Sequence, residues 1–274
     1  MTAETGSMLE VQGINLSFGG TQVLREVNFG VPNGQIIGLV GPNGAGKSSL
    51  LNVISGLYRA QSGHVMFQGQ PLTGRAPWKV ANRGVARTFQ NVELVDDSTL
   101  ADNVLLGRHR HSKATLIESI LHVGRAVTEE RAGRRMAAEL LEMVGLGGRD
   151  NELVSSMSFA EKKLVEIARA LALEPTLLLL DEPASGMSSR DKHAMVATLL
   201  SLKKEQGLTQ VLVEHDMQLV GAVCDRIVVL DAGAVIAEGP PREVLALKVV
   251  VDAYLGADDS KNNDIGSADI EETQ

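Results

Sequence analysis

The chain has 274 residues, of which 44% are hydrophobic and 22% are charged. This composition excludes disorder of the whole chain and suits a globular protein with a substantial core. The formal net charge is −8, but six acidic residues and one lysine fall in the last 18 residues, so the rest is close to charge-balanced. We therefore expect no nucleic-acid partner, and we predict that the acidic tail at 257–274 is disordered.

The cysteine content and the apolar segments indicate the cellular setting. Cys224 is the only cysteine, and no amino-terminal stretch combines a basic start with a long apolar run. Uninterrupted apolar runs are also much shorter than the roughly 18 to 20 residues that span a bilayer. We expect a cytoplasmic protein whose role at a membrane would depend on partner chains.

Strand-like and helical segments alternate along the chain, as in an α/β protein. Early strands are predicted in LEVQGINLSF, VLREVNFGV and QIIGLV, and a helix in KSSLLNVISGL. From 99 to 173 the pattern is helical, and strands return in TLLLLDEP, TQVLVEHD, DRIVVLD and AVIAEG. We predict one domain over 8–256, with a core formed by 8–92 and 174–256 and a helical insertion at about 93–173.

A glycine-rich loop follows the predicted strand QIIGLV and opens the next helix. It reads GPNGAGKSS, which fits the G-x-x-x-x-G-K-[ST] pattern in the required strand–loop–helix context. Lys47 would reach the β and γ phosphates of a nucleotide, and Ser48 would hold Mg²⁺. A simple glycine turn would not explain a lysine and a serine at these positions. The predicted nucleotide-binding residues of this loop are Gly41, Pro42, Asn43, Gly44, Ala45, Gly46, Lys47, Ser48 and Ser49.

Two carboxylates follow the apolar run LLLL, which suits a buried central strand. Asp181 would bind Mg²⁺ directly or through water, and Glu182 would orient and deprotonate the water that attacks the γ phosphate. The structural alternative is an acidic pair favoured by a helix dipole, which explains one acid better than two. His215 ends another predicted strand and could hydrogen-bond the γ phosphate, although a lone histidine there is more often a local hydrogen-bonding residue.

The stretch SSMSFAEKKLVEIARALA reads locally as a capped helix. Ser158 and Glu161 fit an S-x-x-E capping box, and apolar residues follow at helical spacing on one face. A capped core helix needs no further explanation. The same helix end also offers N–H groups and a positive dipole to a phosphate, so the structural and the binding interpretation both stand.

In this order, the motifs resemble those of the ATP-binding subunits of ABC transporters, over residues 8–256. GPNGAGKSS matches the Walker A loop, LLLLDEP matches Walker B with its catalytic glutamate, and His215 matches the switch histidine. Phe18 matches the aromatic residue that stacks on adenine, and Gln90 matches the glutamine that meets Mg²⁺ and the transmembrane partner. The resemblance implies a P-loop NTPase (RecA-like) core with an antiparallel β subdomain and an inserted α-helical subdomain.

The resemblance also identifies two segments that act between subunits. SGMS lies where the family has its D-loop, with Ser188 in place of the usual Asp or Asn, and MSFAE aligns with the signature LSGGQ. If position 160 needs a left-handed conformation, its alanine is unfavourable by roughly 1 kcal/mol or more, whereas a helical conformation favours it. Glu161 adds a negative charge near a polyanion, so we expect a weakened but not abolished closed dimer. The residues concerned are Ser158, Phe159, Ala160 and Glu161 in the signature, and Ser185, Gly186, Met187 and Ser188 in the D-loop.

Longer sequence segments, such as GVARTFQNVELVDDSTLADNVLLGRH and DEPASGM, resemble the corresponding segments of the branched-chain amino-acid uptake group. This implies ATP and Mg²⁺ as cofactors and a homodimer or a dimer with a paralogous ATPase subunit. It also implies transmembrane permease subunits and, indirectly, an external solute-binding protein, at the cytoplasmic face of the cell membrane. Relatives in the group import amides, urea or aromatic acids, so the cargo stays open between these and branched-chain amino acids.

Two other functions remain as alternatives. The altered signature could leave a nucleotide-dependent binding module with weak turnover, although Glu182 and His215 argue against it. A soluble ABC ATPase outside transport would usually carry paired cassettes, zinc modules or distinct insertions, and none is visible in this sequence.

Overall fold

The structure is a computed structural model that describes residues 7–88, 94–108 and 125–255, without the side chains of 125–129. Gln90 and the predicted disordered tail at 257–274 lie outside the described residues. The predictions made for them therefore stay predictions.

A six-stranded sheet forms the centre of the molecule. Its strands are β3 (Ile36–Val40), β6 (Val85–Arg87), β7 (Leu177–Asp181), β8 (Thr209–Val213), β9 (Arg226–Asp231) and β10 (Ala234–Gly239). Their order in the sheet is β10–β9–β3–β8–β7–β6, and all neighbouring strands are parallel except the antiparallel pair β9 and β10.

The middle of this sheet consists of strands that are buried along their whole length. Every residue of β3, β7 and β8 is buried, which suits the near-continuous apolar runs of a parallel sheet covered on both faces. Because these strands are parallel, their carboxyl ends meet at one edge of the sheet. The loop after β3, the acids after β7 and the histidine after β8 are thereby brought together, where α/β proteins commonly bind ligands.

A four-stranded antiparallel sheet covers one face of the central sheet. Its order is β2–β1–β4–β5, with β1 (Ser7–Phe18), β2 (Thr21–Pro32), β4 (Ser62–Phe67) and β5 (Gln70–Pro71). Leu9 and Val27 of this sheet share one buried cluster with Leu39 of β3 and with Leu50. This cluster fixes the antiparallel sheet above the glycine-rich loop.

Helices connect the strands and cover the opposite face, apart from the two that contain Leu50 and Val80, which pack in the cluster under the antiparallel sheet. Among the described residues, three of these helices lie between β6 and β7 in the chain, where a helical insertion is predicted. They pack on one another and contribute to a second buried cluster. The helices are α1 (Lys47–Ile54), α2 (Pro77–Ala81), α3 (Leu100–Leu106), α4 (Arg125–Met143), α5 (Phe159–Leu171), α6 (Ser189–Gln206), α7 (Met217–Val223), α8 (Pro241–Val244) and α9 (248–255).

The strands and helices agree with the predicted α/β class. Strands β4 and β5 were not predicted, because their short stretch mixes glycine, histidine and proline and shows no clear alternation over a usual strand length. The predicted bounds of the helical insertion, 93–173, stay a prediction. None of the described helices combines the length and the apolar composition that crossing a membrane requires.

Candidate functional site

The loop between β3 and α1 depends on glycine at two positions. Gly41 has a φ of 146°, and a Cβ there would lie 2.0 Å from the carbonyl oxygen of Leu230. Gly46 has a φ of 100°, and its Cβ would lie 2.9 Å from the carbonyl oxygen of Val23. Side chains at either position would be both strained and blocked, so the loop can curl over the end of β3 only with these glycines.

Lys47 begins α1 and turns its ammonium group back into the loop. Its Nζ donates hydrogen bonds to the carbonyl oxygens of Gly41, at 2.7 Å, and of Pro42, at 2.8 Å. Burial lowers the pKa of Lys47, while the negative charges of Glu182 and Asp181 act in the opposite direction. The oxygens of an anion would give this buried ammonium group stronger hydrogen bonds than its two neutral carbonyl partners, because both donor and acceptor would then be charged.

Six of the nine predicted loop residues line an open pocket at the carboxyl edge of the sheet. Asn43, Gly44 and Ser48 are exposed, whereas Pro42 and Ala45 are buried beneath the loop. Glu182 and His215 reach the same pocket from the ends of two other strands. The pocket is lined by Val23, Asn43, Gly44, Gly46, Lys47, Ser48, Ser49, Glu182 and His215.

Phe18, the predicted adenine-stacking residue, lies at the end of β1. This residue is 47% exposed, and its ring meets the ring of Tyr58 edge to face, with the centroids 5.2 Å apart. Tyr58 was not predicted as a site residue. An exposed aromatic face held by a second ring is suited to stacking on a flat heterocycle.

Asp181 ends β7 and pairs with an arginine from the neighbouring strand. The guanidinium of Arg87 lies 2.9 Å from Asp181 Oδ2, and the side chains are only 10% and 3% exposed. Arg87 also donates to Asn52 Oδ1 at 2.6 Å and to Ser55 Oγ at 3.0 Å, both on or next to α1. Arg87 thus connects the acidic strand end with the helix that follows the glycine-rich loop.

The second carboxylate oxygen of Asp181 fits a metal ligand. Asp181 Oδ1 is buried and accepts no hydrogen bond from any residue that the structure describes. A buried carboxylate oxygen without a donor is costly unless a ligand satisfies it, and Mg²⁺ prefers oxygen ligands. Of the predicted set of Asp181, Ser48 and Gln90, Asp181 therefore has an oxygen that suits Mg²⁺. Ser48 lines the pocket, and Gln90 lies outside the described residues.

Glu182 and His215 form a direct pair at the pocket. Glu182 Oε1 lies 2.9 Å from His215 Nε2, and the two side chains are 16% and 41% exposed. Glu182 has a positive φ of 49°, which is rare for a non-glycine residue and is often found at functional sites. The N–H of Glu182 donates to the carbonyl oxygen of Val213, which fixes this turn to β8.

Three consecutive residues after β8 bind the segment that follows β7. The carboxylate of Glu214 accepts from the N–H of Ala184 at 2.8 Å, His215 meets Glu182, and Asp216 accepts from Lys192 Nζ at 2.7 Å. Glu214 is buried, and burial raises its pKa. The proposed catalytic pair is therefore held between two further connections that were not predicted from the sequence.

The predicted signature residues begin α5 as a complete capping box. Ser158 Oγ accepts from the N–H of Glu161 at 3.3 Å, and Glu161 Oε2 accepts from the N–H of Ser158 at 2.8 Å. Ala160 is the second residue of the helix and has no positive φ. Ala160 therefore avoids the energetic cost that a left-handed conformation at this position would impose on an alanine. Phe159 is half-exposed beside the helix start.

The predicted D-loop lies next to the signature residues of the same chain. A Cβ on Gly186, whose φ is 75°, would lie 3.6 Å from the ring of Phe159. Ser188 is the N-cap of α6, accepting from the N–H of Asp191 at 3.3 Å and donating to its carboxylate at 2.6 Å. Serine at this position therefore has a clear local role. Ser185 is exposed and Met187 is buried.

A family model described as ABC transporter matches residues 24–185, which is more than half of the chain. The chain belongs to the ABC transporter ATP-binding family. It is 35% identical to the high-affinity branched-chain amino acid transport ATP-binding protein BraF of Pseudomonas aeruginosa, over 91% of this chain and 98% of that relative. It is 33% identical to the corresponding protein LivG of Escherichia coli, over the same shares of the two chains.

Solved structures agree with this family assignment. The ADP conformation of an ATP-binding cassette of an ABC transporter has a TM-score of 0.81 at 30% identity, covering 92% of this chain and 100% of that chain. A nucleotide-free ATP-binding cassette has a TM-score of 0.79 at 30% identity, covering 90% and 98%. The predicted P-loop NTPase fold and the predicted ABC-type ATPase activity are confirmed. The roles of individual site residues stay predictions.

The helical position of Ala160 in this ABC ATPase gives a stability prediction. We expect Ala160→Gly to lower the free energy of unfolding by about 0.5 to 1 kcal/mol, because glycine loses more backbone freedom in a helix than alanine. Urea unfolding of the purified chain measures this change. Ala194→Gly, at an exposed position in α6, is the matched control and should lose a similar amount. An Ala160→Gly variant more stable than the wild type would contradict the helical assignment of this position.

Several residues that support the candidate site of this ABC ATPase belong to none of the predicted motifs. Arg87, Glu214 and Arg149 occupy no recognised position of a motif, and each acts on a motif residue that is distant in the chain or in a different loop. The arginine in RTFQ could have been noticed as a charge inside a strand that is otherwise apolar. Its partner, however, follows only from the pairing of β6 with β7.

Proposed function

We propose that this chain is the ATP-hydrolysing subunit of an ABC importer whose cargo is branched-chain amino acids. The observation that carries this proposal is one pocket lined by Lys47, Ser48, Glu182 and His215, in a chain that is similar over nine-tenths of its length to two branched-chain amino acid transport ATP-binding proteins. The pocket supports nucleotide chemistry, and the likeness supports the cargo.

In the proposed mechanism, the glycine-rich loop and the amino end of α1 bind the nucleotide phosphates. Lys47 exchanges its two loop carbonyls for phosphate oxygens, so its ammonium group stays hydrogen-bonded throughout. Asp181, Ser48 and Gln90 would hold Mg²⁺, which when bound offsets charge on the phosphate oxygens. Phe18, supported by Tyr58, stacks on the adenine ring.

Glu182 is proposed as the general base. Its carboxylate takes a proton from the water that attacks the γ phosphate, and His215, in contact with Glu182, keeps that carboxylate oriented toward the pocket. The strained backbone of Glu182 and the connections of Glu214 and Asp216 hold this pair in a fixed geometry.

A second ATPase subunit would complete each site. We propose a homodimer, or a dimer with a paralogous subunit, in which the signature helix α5 of one chain faces the ATP held by its partner. ATP binding closes this dimer and hydrolysis reopens it, which moves permease subunits attached near Gln90 and the helices α3 to α5. The subunit would then lie at the cytoplasmic face of the membrane and act on an external solute-binding protein only through the permeases.

Transport by the assembled complex tests this proposal. The chain would be purified with its co-expressed permease subunits, reconstituted in liposomes with the solute-binding protein, and supplied with ATP on the ATPase side. We expect uptake of leucine, isoleucine or valine with stimulated ATP hydrolysis, and none of either in a complex with Lys47→Ala. Uptake of urea, amides or aromatic acids instead would overturn the cargo while leaving the ATPase role intact.

A further inference from the structure

The signature helix carries an acid where the family pattern LSGGQ has a neutral glutamine. In the proposed dimer, the first turn of α5 receives the triphosphate of an ATP bound by the second subunit. A carboxylate that turned toward this triphosphate would repel it and oppose closure. The structure shows how the side chain of Glu161 is kept from doing so.

Both oxygens of Glu161 are engaged on the side of its own helix start. Oε2 accepts from the N–H of Ser158 at 2.8 Å, and Oε1 pairs with the guanidinium of Arg149. The side chain of Glu161 is 29% exposed and that of Arg149 is 33% exposed, so this pair is only partly screened by water. Glu161 would have to break a hydrogen bond and an ion pair before it could approach a ligand.

Arg149 is itself held in place by its surroundings. It lies in the loop after α4, outside the signature motif. It donates to both carboxylate oxygens of Glu152, from Nε to Oε1 at 3.1 Å and from Nη2 to Oε2 at 3.0 Å, and its Nη2 reaches Met157 Sδ at 3.4 Å. Glu152 is more exposed than Glu161, so water compensates much of its charge. The hydrogen bond to Arg149 is also the main cause of a lowered pKa for Glu161.

We propose that Arg149 is a positioning residue for ATP-dependent dimer closure: it holds Glu161 against the start of α5 and offsets its charge, so that the helix end can receive the partner's triphosphate. This inference depends on the proposed dimer. It makes Arg149 and Glu161 one functional unit that replaces the neutral glutamine of the family pattern. Neither residue needs to touch the nucleotide held by its own chain.

ATP-dependent dimer formation by a variant that cannot hydrolyse ATP tests whether Arg149 and Glu161 act together. In Glu182→Gln chains, the ATP concentration that gives half-maximal dimer would be measured by analytical ultracentrifugation. Adding Arg149→Gln should raise this concentration roughly tenfold, because the unbalanced charge acts in both sites of the dimer. Adding Glu161→Gln to that variant should return the half-maximal ATP concentration to that of the Glu182→Gln reference. Arg149→Lys keeps the charge without the forked geometry, so its half-maximal ATP concentration should lie between those of the reference and of Arg149→Gln. High salt should reduce the loss, because it screens exposed charges.

Two controls separate this role from a structural one. Arg135→Gln removes another arginine that pairs with a glutamate at a well-exposed position, and it should leave dimerisation unchanged. Binding of a fluorescent ATP analogue to the monomer and the melting temperature should be alike in all variants. The inference is overturned if Arg149→Gln dimerises at the reference ATP concentration, or if Glu161→Gln does not rescue it. Failure of the Glu182→Gln reference to dimerise with ATP would instead overturn the proposed dimer.

Discussion

Replacing Arg87 by methionine is expected to lower the free energy of unfolding by about 3 to 5 kcal/mol, the range seen when one partner of a buried ion pair is removed. Asp181 is 3% exposed, and its Oδ2 meets Arg87 at 2.9 Å. Without the guanidinium, the carboxylate would keep its burial and lose its paired cation. Asn52 and Ser55 would also lose a donor.

Chemical denaturation of three variants measures this effect. Arg87→Met alone should be strongly destabilised, whereas Arg87→Met combined with Asp181→Leu should recover most of the loss, since it leaves no unpaired buried charge. Arg135→Met, which removes an arginine whose side chain is 84% exposed, should change stability by no more than about 0.5 kcal/mol. A single Arg87 variant within about 1 kcal/mol of the wild type would show that the pair contributes little.

The same substitution should also impair ATP hydrolysis. Arg87 connects the strand end that carries Asp181 with the helix that begins at Lys47, so its loss would change the distance between the proposed metal ligands. The double variant lacks the carboxylate that we propose as a ligand of Mg²⁺. We therefore expect it to be stable and inactive, which separates the contribution of the pair to folding from its contribution to the site.

Glu182→Gln is expected to lower the rate of ATP hydrolysis by about 10² to 10⁴, the usual contribution of a general base. The amide is close in shape to the carboxylate and can still contact His215, but it cannot accept the proton of the attacking water. The glycine-rich loop and Lys47 are unchanged, so nucleotide binding should persist.

Single-turnover hydrolysis by purified chains, with ATP binding measured in parallel, tests whether Glu182 acts as the general base. Glu205→Gln, at an exposed position near the end of α6, is the matched control and should hydrolyse ATP like the wild type. Equal and near-zero rates in the wild type and in Glu182→Gln would favour the alternative of a nucleotide-dependent binding module. A clear difference would exclude it.

The structure changes the physical basis of the expected weak closure of the dimer. From the sequence, possible costs were expected at Ala160 and at Glu161. Ala160 is helical, so its methyl group favours the observed conformation, and the charge of Glu161 is paired with Arg149. The prediction of a weakened closed dimer now depends on how fully Arg149 offsets that charge, which the dimerisation experiment measures.

Features that depend on residues close together in the chain could be predicted from the sequence. The glycine-rich loop is one of them, because its backbone angles and its helix start are local properties, and the capping box of Ser158 and Glu161 is another, because its partners are three residues apart. The acids at the end of β7 and the histidine after β8 could be expected to lie close together, because buried apolar strands in an alternating α/β chain usually pair in parallel and their carboxyl ends then share one edge of the sheet.

The side chains that support these motifs follow from the tertiary fold alone. Arg87 and Asp181 are 94 residues apart and meet because β6 pairs with β7. Glu214 reaches Ala184 because β7 pairs with β8, and Arg149 reaches Glu161 because its loop folds back on the start of α5. The order of strands and the packing of loops create these charge pairs, and neither leaves a periodic or motif signal in the sequence.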